Sequence, residues 1–202
     1  YKILFLYSNM TKVNPFYLKG LSKKDKKKHK KYILERRKNY KKGNFTLKKP
    51  KLESYKNKKS AKVISFEKKY GVKITNSQKI EEIVGIPKKA QKEILDKGRA
   101  AFFTSGSRPN QNPNSWAYGR LASVILKQGA YKYDKSILDK YKVKIKPPEK
   151  VKNCSGSLTK KDKRCRRSKD GKIFELPRKY SKKQCSRGVK GYTMKSSCAP
   201  FL

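Results

Sequence analysis

The sequence has few of the residues on which most enzyme sites depend. It contains one histidine, His29, and 14 acidic residues, against 57 lysines and arginines. His29 lies in the lysine run KKDKKKHKK, so we expect it to be solvated on an exposed helix. No Ser-His-Asp set, paired-carboxylate centre or glycine-rich phosphate loop is visible. The sequence therefore predicts neither enzyme activity nor a cofactor.

Long apolar runs are also missing. No stretch of about 18 apolar residues occurs, so no transmembrane helix is predicted. The apolar run Ile3–Tyr7 is too short for a signal-peptide core, and we expect it to form a β-strand or a docked terminal arm. Because the chain begins at Tyr1, Met10 is a candidate initiator.

Negative charge is scarce, and the formal net charge is +43. So basic a chain repels itself, which disfavours an isolated compact fold. We therefore expect an acidic partner, which is nucleic acid, anionic lipid or an acidic protein surface in a large assembly. Lysine greatly outnumbers arginine, which favours diffuse charge neutralisation over base reading. Aromatic residues make up 11% of the chain, too many for a simple disordered tail, and we expect a thinly cored fold.

Lysine is absent from residues 98–126, although it makes up close to a quarter of the chain. This segment holds the single tryptophan, Trp116, and the adjacent pair Phe102 and Phe103. We expect these three side chains to form the centre of the core. The arginines here for which we expect specific polar contacts, to the chain itself or to a neighbour, are Arg108 and Arg120.

Hydrophobic periodicity and capping signals predict a mainly α fold. The helix that begins after Ser22 is polar almost all round, and the residues on it that can pack are Tyr32, Ile33, Leu34 and Tyr40. We expect it to be exposed and to lie on something anionic or to bridge partners. Four helices are predicted to follow a capping residue: Ser22 (helix to about Lys42), Ser60 (ended by Gly71), Thr75 or Asn76 (broken by Gly85) and Ser115 (helix from Trp116 to about Gln128). Two more are predicted from Pro87 to about Lys97 and from Asp134 to Tyr141.

The predicted architecture has three parts. Residues 1–59 form a basic N-terminal arm with one exposed helix, and residues 60–149 form a helical core around Trp116. Residues 150–202 form a basic tail that contains every cysteine. The expected fold is thus a small helical core with long basic extended arms and a cysteine-stapled, loop-rich C-terminal tail.

The cysteines form two similar halves of the tail, CSGSLTKKDKRC and CSRGVKGYTMKSSC. We favour two disulfides, each closing its own loop and each stabilising it by roughly 3 kcal/mol. A zinc site usually has at least one closer cysteine pair, but zinc and free thiols stay open as alternatives. The residues concerned are Cys154, Cys165, Cys185 and Cys198.

Two local patterns admit an anion-binding interpretation. Residues 76–97 have the outline of a helix-turn-helix, although a plain helical hairpin explains them as well. Thr104–Ser107, followed by Arg108, is a candidate loop for cradling a phosphate with backbone N–H groups. For that loop we favour a structural role, wrapping the start of the next helix. A DNA-reading hairpin would place in the major groove Lys88, Lys89, Gln91 and Lys92.

Several segments together resemble one family. They are the basic start Tyr17–His29, the step Lys68–Val72 (KKYGV), the block Gly98–Gln111 (GRAAFFTSGSRPNQ) and the helix Ser115–Ser123 (SWAYGRLAS). The cysteine loop Cys154–Cys165 is also typical. On these motifs the chain resembles a lysine-rich virion protein family of nucleocytoplasmic large DNA viruses of the algal-virus type.

The resemblance covers most of residues 17–165 and implies a structural role. It implies a minor capsid protein beneath the outer shell of the virion, made in the infected host cell. The implied partners are the major capsid protein and other minor capsid proteins. From charge we add the anionic inner membrane, at roughly 1 kcal/mol per lysine near its surface. The alternative is a virion protein that binds and condenses nucleic acid by counterion release.

Overall fold

A computed structural model describes residues 12–56 and 59–201 of the chain. In this described part the protein is mainly helical, as predicted, with little sheet. The run Ile3–Tyr7 and Met10 lie outside the described residues. The helices are α1 (Lys23–Lys41), α2 (Ala61–Tyr70), α3 (Ser77–Val84), α4 (Lys88–Thr104), α5 (Pro113–Ile125), α6 (Tyr131–Lys140), α7 (Lys182–Ser186) and α8 (Gly191–Cys198).

The predicted caps of two helices are confirmed. The Ser22 side chain accepts a hydrogen bond from the Asp25 N–H at 3.2 Å, which satisfies one free donor at the start of α1. The Asn76 side chain accepts in the same way from the Lys79 N–H at the start of α3. Helix α3 ends at Gly85, whose φ of +81° suits a residue without a Cβ atom.

Helix α4 is longer than predicted. It was expected to end near Lys97, but it continues through Gly98 to Thr104. A Cβ atom at position 98 would lie 2.6 Å from the Ala117 Cα atom of α5. Gly98 is therefore a point of close helix contact inside α4 rather than a stop signal.

Helix α5 begins at Pro113, three residues before the predicted first helical residue, Trp116. Its N-cap is Asn112, and Pro113 occupies the first turn, where a missing N–H costs nothing. Ser115, predicted as the cap, is instead the third helical residue and completes a capping box with Asn112. The turn is stabilised as expected, but the residue that caps it is different.

The described chain divides into two compact units. The first unit combines the described part of Tyr1–Ser60 with Lys89–Ile137, and the second combines Ala61–Lys88 with Leu138–Leu202 up to residue 201. The predicted three-part division, at residues 59 and 149, does not coincide with these units. Each unit draws on two separate stretches of sequence, which composition alone does not reveal.

The core of the first unit centres on α1, α4 and α5. The apolar stripe that hydrophobic periodicity predicts for α5 (Ala117, Leu121, Val124 and Ile125) is buried, and Phe102 is buried with it. Trp116 is only partly buried, and its ring meets Tyr17 edge-on at 5.9 Å. Phe103, also partly buried, stacks on Tyr40 at 5.5 Å. The two phenylalanines thus belong to an aromatic cluster with Tyr40 and Phe45, whereas the ring that Trp116 meets is Tyr17.

The second unit carries the cysteine tail. Cys154 pairs with Cys165 and Cys185 pairs with Cys198, as favoured from the sequence. Strands β1 (Arg164–Arg166) and β2 (Ile173–Glu175) form an antiparallel hairpin in which Cys165 faces Phe174. The Cys154–Cys165 disulfide and Phe174 form a small buried cluster, against which apolar side chains of the tail pack.

Helix α2 is joined to this hairpin through its C-terminal end. Arg166 of β1 donates hydrogen bonds to the carbonyl oxygens of Lys68 and Lys69, at 2.8 and 2.7 Å. These carbonyls lack helical partners, and a cation favours the negative end of the helix dipole. At Gly171 a Cβ atom would lie 2.2 Å from the Lys68 carbonyl oxygen, so only glycine allows this approach.

Candidate anion-binding surface of helix α1

Helix α1 has a buried face that is larger than predicted, because it includes polar residues beside the expected Tyr32 and Ile33. The buried residues recur at intervals of one helical turn, so they line one side of the helix. Three of the five are polar or charged, which is why an apolar pattern did not show them. They are Asp25, His29, Tyr32, Ile33 and Arg36.

Asp25 fixes the first turn of α1 to the segment that follows the helix. Its Oδ2 atom accepts hydrogen bonds from the Ser54 hydroxyl at 2.6 Å and the Ser54 N–H at 2.9 Å. These bonds hold the pKa of the Asp25 carboxyl below its usual value. The Ser22 N–H in turn donates to the Ser54 hydroxyl oxygen, so Ser54 ties residues 44–56 to the helix start.

His29 is buried, with an exposure of 1%, and the prediction of a solvated histidine is wrong. Its Nε2 atom lies 3.0 Å from the Ser107 carbonyl oxygen. A carbonyl can only accept, so Nε2 carries the proton of this bond. Burial lowers the pKa of His29, which keeps the ring neutral at pH 7.

Arg36 is buried to the same degree, with an exposure of 2%. Its guanidinium carbon lies 3.8 Å from the centre of the Phe102 ring and 5.1 Å from that of Tyr32. Its Nη1 atom is 3.4 Å from the Ser107 hydroxyl oxygen. Burial lowers the pKa of Arg36, because the charged form loses its hydration.

Arg37 fixes the same side of the helix to the loop after α4. It donates to the Ser105 carbonyl oxygen at 2.5 Å and to the Lys12 carbonyl oxygen at 2.9 Å. The Thr104–Ser107 loop therefore presents its oxygen atoms to α1, where they accept from histidine and arginine. The loop therefore has a structural contact, but with α1, whereas the favoured role was to wrap the start of the next helix.

The opposite face of α1 is covered by lysine. Because the buried side is anchored at both ends and in the middle, this lysine face has a fixed orientation on the first unit. Glu35 is the acidic residue on it. The exposed lysines of the face are Lys23, Lys24, Lys26, Lys27, Lys28, Lys30, Lys31 and Lys38.

A groove of about 560 Å³ runs beside this lysine face. Its apolar lining comes from the short 3₁₀ helix Pro15–Leu18, and Lys26 and Lys30 of α1 line its other side. Phe16 is about half exposed, and the Arg108 guanidinium lies over its ring at 4.1 Å. Arg108, expected to make a specific polar contact, thus stacks on an aromatic ring at the surface.

Arg120 makes the polar contact that was expected of it, and the partner is in the chain itself. Its Nε and Nη2 atoms donate to both carboxylate oxygens of Asp134, at 2.6 and 2.8 Å. Asp134 is fully buried, and Lys97 approaches it at 3.8 Å. The pair joins α5 to α6 and is a structural contact rather than part of the surface.

The structure opposes two of the open sequence alternatives. Gln91, which a DNA-reading helix would insert into the groove, is 2% exposed and therefore not available to bases. The four cysteines are all in disulfides, which replaces the zinc and free-thiol alternatives. Among residues 12–56 and 59–201 no group of His, Cys, Asp and Glu side chains is placed to hold a metal ion. In the same residues no helix has the length and apolarity to cross a bilayer.

These features define a small, mainly helical, strongly basic protein. Its helix α1 carries lysines on one side and is held to the first unit by polar contacts on the other. A family model described as a family of unknown function (DUF5824) matches residues 15–143, well over half of the chain, and the chain belongs to that family. The match includes α1 to α6 and ends before the disulfide-bonded tail. No curated protein and no solved structure matches the chain.

The burial of Asp25, His29 and Arg36 was missed because these residues are polar. A signal was nevertheless present in the sequence. Within KKDKKKHKKYILERRK the lysine run is broken at Asp25, His29, Tyr32 and Arg36, at steps of three or four residues. Between Lys23 and Tyr32, where the run is most uniform, the positions that are not lysine (Asp25, His29 and Tyr32) are the buried ones.

Proposed function

We propose that this protein is a structural minor capsid protein of a large icosahedral DNA virus, linking major capsid capsomers beneath the shell. The virion assignment rests on the resemblance of residues 17–165. The structural role is supported by the lysine face of α1, which is the observation that carries the proposal. Its partners would be the major capsid protein and other minor capsid proteins, with the anionic inner membrane on the other side.

The lysine face is arranged in a way that favours an acidic partner. Lysines four residues apart on a helix repel each other, as at Lys23 and Lys27 or Lys26 and Lys30. Most of the lysines also lie in the N-terminal half of α1, where the helix dipole disfavours positive charge. An acidic surface laid along α1 would relieve both effects at once.

The groove beside the lysine face favours a protein as that partner. Phe16 and Leu18 give the groove an apolar lining, and lysines rim it. Protein interfaces combine an apolar centre with a polar rim, and complementary charge steers their association. An acidic capsomer surface with an apolar side chain to place in the groove fits this pattern.

The disulfides fit a protein that has to persist in an assembled particle. The tail has a small buried cluster, so covalent closure of its two loops supplies stability that packing cannot. Disulfides form in oxidising surroundings or with the help of an oxidase. A tail cross-linked by these two disulfides would stay folded outside the cell.

The second candidate is a virion protein that condenses nucleic acid. It is favoured by exposed lysines beside tyrosine rings, such as Lys132 at 4.8 Å from the Tyr133 ring centre. Tyr133 is 65% exposed, and aromatic rings flanked by cations can stack with bases. Such binding would fall steeply with salt, because it depends on counterion release.

Fractionation of purified virions separates the two candidates. Virions are treated with detergent and nuclease, and the chain is followed by immunoblotting with the major capsid protein as reference. We expect the chain to stay with empty capsids. Its release together with the DNA core would contradict the capsid role and favour the condenser.

A charge reversal on α1 tests whether the lysine face is the contact. The variant Lys27→Glu/Lys30→Glu/Lys31→Glu should lose incorporation into capsids, because the face would repel an acidic partner. The control, Lys160→Glu/Lys161→Glu/Lys169→Glu, makes the same change of charge at exposed tail positions. Equal incorporation of both variants would contradict the assignment of the contact to α1.

A further inference from the structure

The guanidinium of Arg36 is only partly satisfied inside the first unit. Its Nη1 atom has the Ser107 hydroxyl as partner, but its Nε and Nη2 atoms have no hydrogen-bond partner among the described residues. No carboxylate of the described chain pairs with it, and Asp25 on the same helix face is bonded to Ser54. A buried cation without a counter-charge is costly.

The two unpartnered atoms form one edge of the guanidinium, and the same edge binds carboxylates elsewhere in this protein. Arg120 uses its Nε and Nη2 atoms to hold both oxygens of Asp134. Arg167 uses them to hold both oxygens of Asp170, at 3.0 and 2.6 Å. Such a fork matches an oxyanion that offers two oxygen atoms.

The surroundings of Arg36 are positive. Partial burial and the charge of Arg36 both lower the pKa of Lys49, whose ammonium group lies 3.0 Å from the Gln111 carbonyl oxygen. Arg37, next along the helix, donates to carbonyl oxygens. His29 has a buried Nδ1 atom with no hydrogen-bond partner in the described residues. Neutral histidine can accept there from a protonated oxygen.

A cleft lies next to this cluster, although Arg36 itself is not on its lining. It lies between α1 and residues 48–53, has a volume of about 560 Å³, and is lined by Tyr32 and Lys49 together with the carboxylates Glu35 and Glu53. Tyr32 is the ring that Arg36 approaches at 5.1 Å. Lys28 and Lys31 stand at the same cleft and would draw an anion towards it.

We propose that Arg36, with Lys49 beside it, forms a binding site for a small phosphate group, with inorganic phosphate as the simplest ligand. The Nε–Nη2 edge of Arg36 donates to two phosphate oxygens. Because Arg36 is 2% exposed, the occupant is small, and a phosphodiester within a polymer is too large to reach it. A dianion would offset the charges that act directly on Arg36 and its neighbour, those of Arg37 and Lys49, while Glu35 and Glu53 at the cleft would weaken its entry. This inference is independent of the capsid proposal, because it concerns an internal site of the first unit.

The test is a phosphate titration of the full-length, disulfide-bonded protein at constant ionic strength. Calorimetry in about 0.15 M NaCl suppresses diffuse binding to surface lysines. We expect saturable binding of one phosphate per chain and a rise of about 3 °C or more in the unfolding midpoint of the first unit at saturation. A linear, unsaturable response would overturn the proposal.

Variants at position 36 make the test specific. Arg36→Met removes the charge but fills the space, so the variant should fold at least as stably without phosphate and bind phosphate at least about tenfold more weakly. Arg36→Lys keeps the charge but loses the fork, and should also bind at least about tenfold more weakly. Arg187→Gln removes one exposed charge from the tail and should bind as the wild type does.

The outcomes separate the site from bulk charge. Equal phosphate binding by the wild type and Arg36→Met would overturn the proposal, and if Arg36→Met does not fold, the titration of Arg36→Lys decides in the same way. A short duplex DNA is titrated in parallel. If DNA binding depends on Arg36 while phosphate binding does not, the ligand is a polymer and the small-phosphate proposal is wrong.

Discussion

At the scale of single residues, oxygen atoms of the backbone and of serine take the place of carboxylates around α1. His29 donates to the Ser107 carbonyl, and Arg37 donates to the Ser105 carbonyl. With 14 acidic residues against 57 basic ones, most cations have no carboxylate to meet. The loop after α4 thus acts as a neutral acceptor that lets a basic helix be buried along one side.

His29 makes the stability of the first unit depend on pH. Burial lowers the pKa of His29 in the folded protein, whereas in the unfolded chain the pKa has its ordinary value of about 6.5. The unfolded state therefore binds more protons as the pH falls, so stability is highest above about pH 6.5 and decreases below it.

The variant His29→Gln isolates this effect. Glutamine can still donate to the Ser107 carbonyl but does not titrate. The loss of stability from about pH 7.5 to about pH 5.5, a range that brackets the ordinary pKa of histidine, should therefore be smaller than in the wild type. Denaturant midpoints across this range give the measurement. Identical pH profiles for the two proteins would show that His29 is not the group responsible.

Residue identity alone predicted some of these contacts and not others. The Ser22 cap and the apolar stripe of α5 follow from patterns that local sequence carries. The burial of His29 and Arg36 does not, because it depends on a loop more than 70 residues further along the chain. A polar contact of Arg120 could be predicted from the sequence, but the identity of its partner, Asp134, could not.

At the scale of elements, the close approach of α4 and α5 depends on Gly98. A Cβ atom there would lie 2.6 Å from the Ala117 Cα atom and 3.0 Å from its Cβ atom, so one helix would have to shift. Small residues on α5 (Ala117, Gly119, Ala122 and Ser123) predict that another element approaches closely, and that contact is found at Ala117. Its partner was not predicted, since glycine in a polar stretch also fits a helix end.

Substitution of Gly98 by valine should destabilise the first unit by about 1–3 kcal/mol, because it overpacks this contact. The control is Gly119→Ala on α5, where the added Cβ atom would meet the Ser60 hydroxyl oxygen at an ordinary 3.6 Å. This control should be neutral or stabilising by about 0.5–1 kcal/mol, because alanine favours the helix. Urea denaturation measures both, and a Gly98→Val protein as stable as the control would exclude the close contact.

At the scale of the whole molecule, the family match and the disulfides occupy different parts of the chain. The match ends at residue 143, and the cysteine tail follows it. The mainly helical class and the disulfide pairing were both predicted from sequence. The grouping of residues 61–88 with the tail was not, since contacts such as Arg166 with the end of α2 join positions almost 100 residues apart.

Reduction of the disulfides should loosen the tail selectively. Each loop loses roughly 3 kcal/mol of stabilisation when its bond opens, on the chain-entropy estimate. Hydrogen exchange of the β1 and β2 amides should therefore accelerate in dithiothreitol more than that of α5, which contains no cysteine. Equal protection of the β1–β2 hairpin in both states would show that packing alone maintains it.

The lysine face of α1 is central to the account at this scale, because it gives a fixed orientation to the densest run of positive charge. Lysine-directed cross-linking of intact virions, read by mass spectrometry, tests it most directly. We predict that Lys26, Lys27 and Lys30 cross-link to the major capsid protein or to neighbouring minor capsid proteins. If these lysines are instead freely labelled in the intact virion, or are protected only while the genome is present, the assignment of α1 as a capsid contact is wrong.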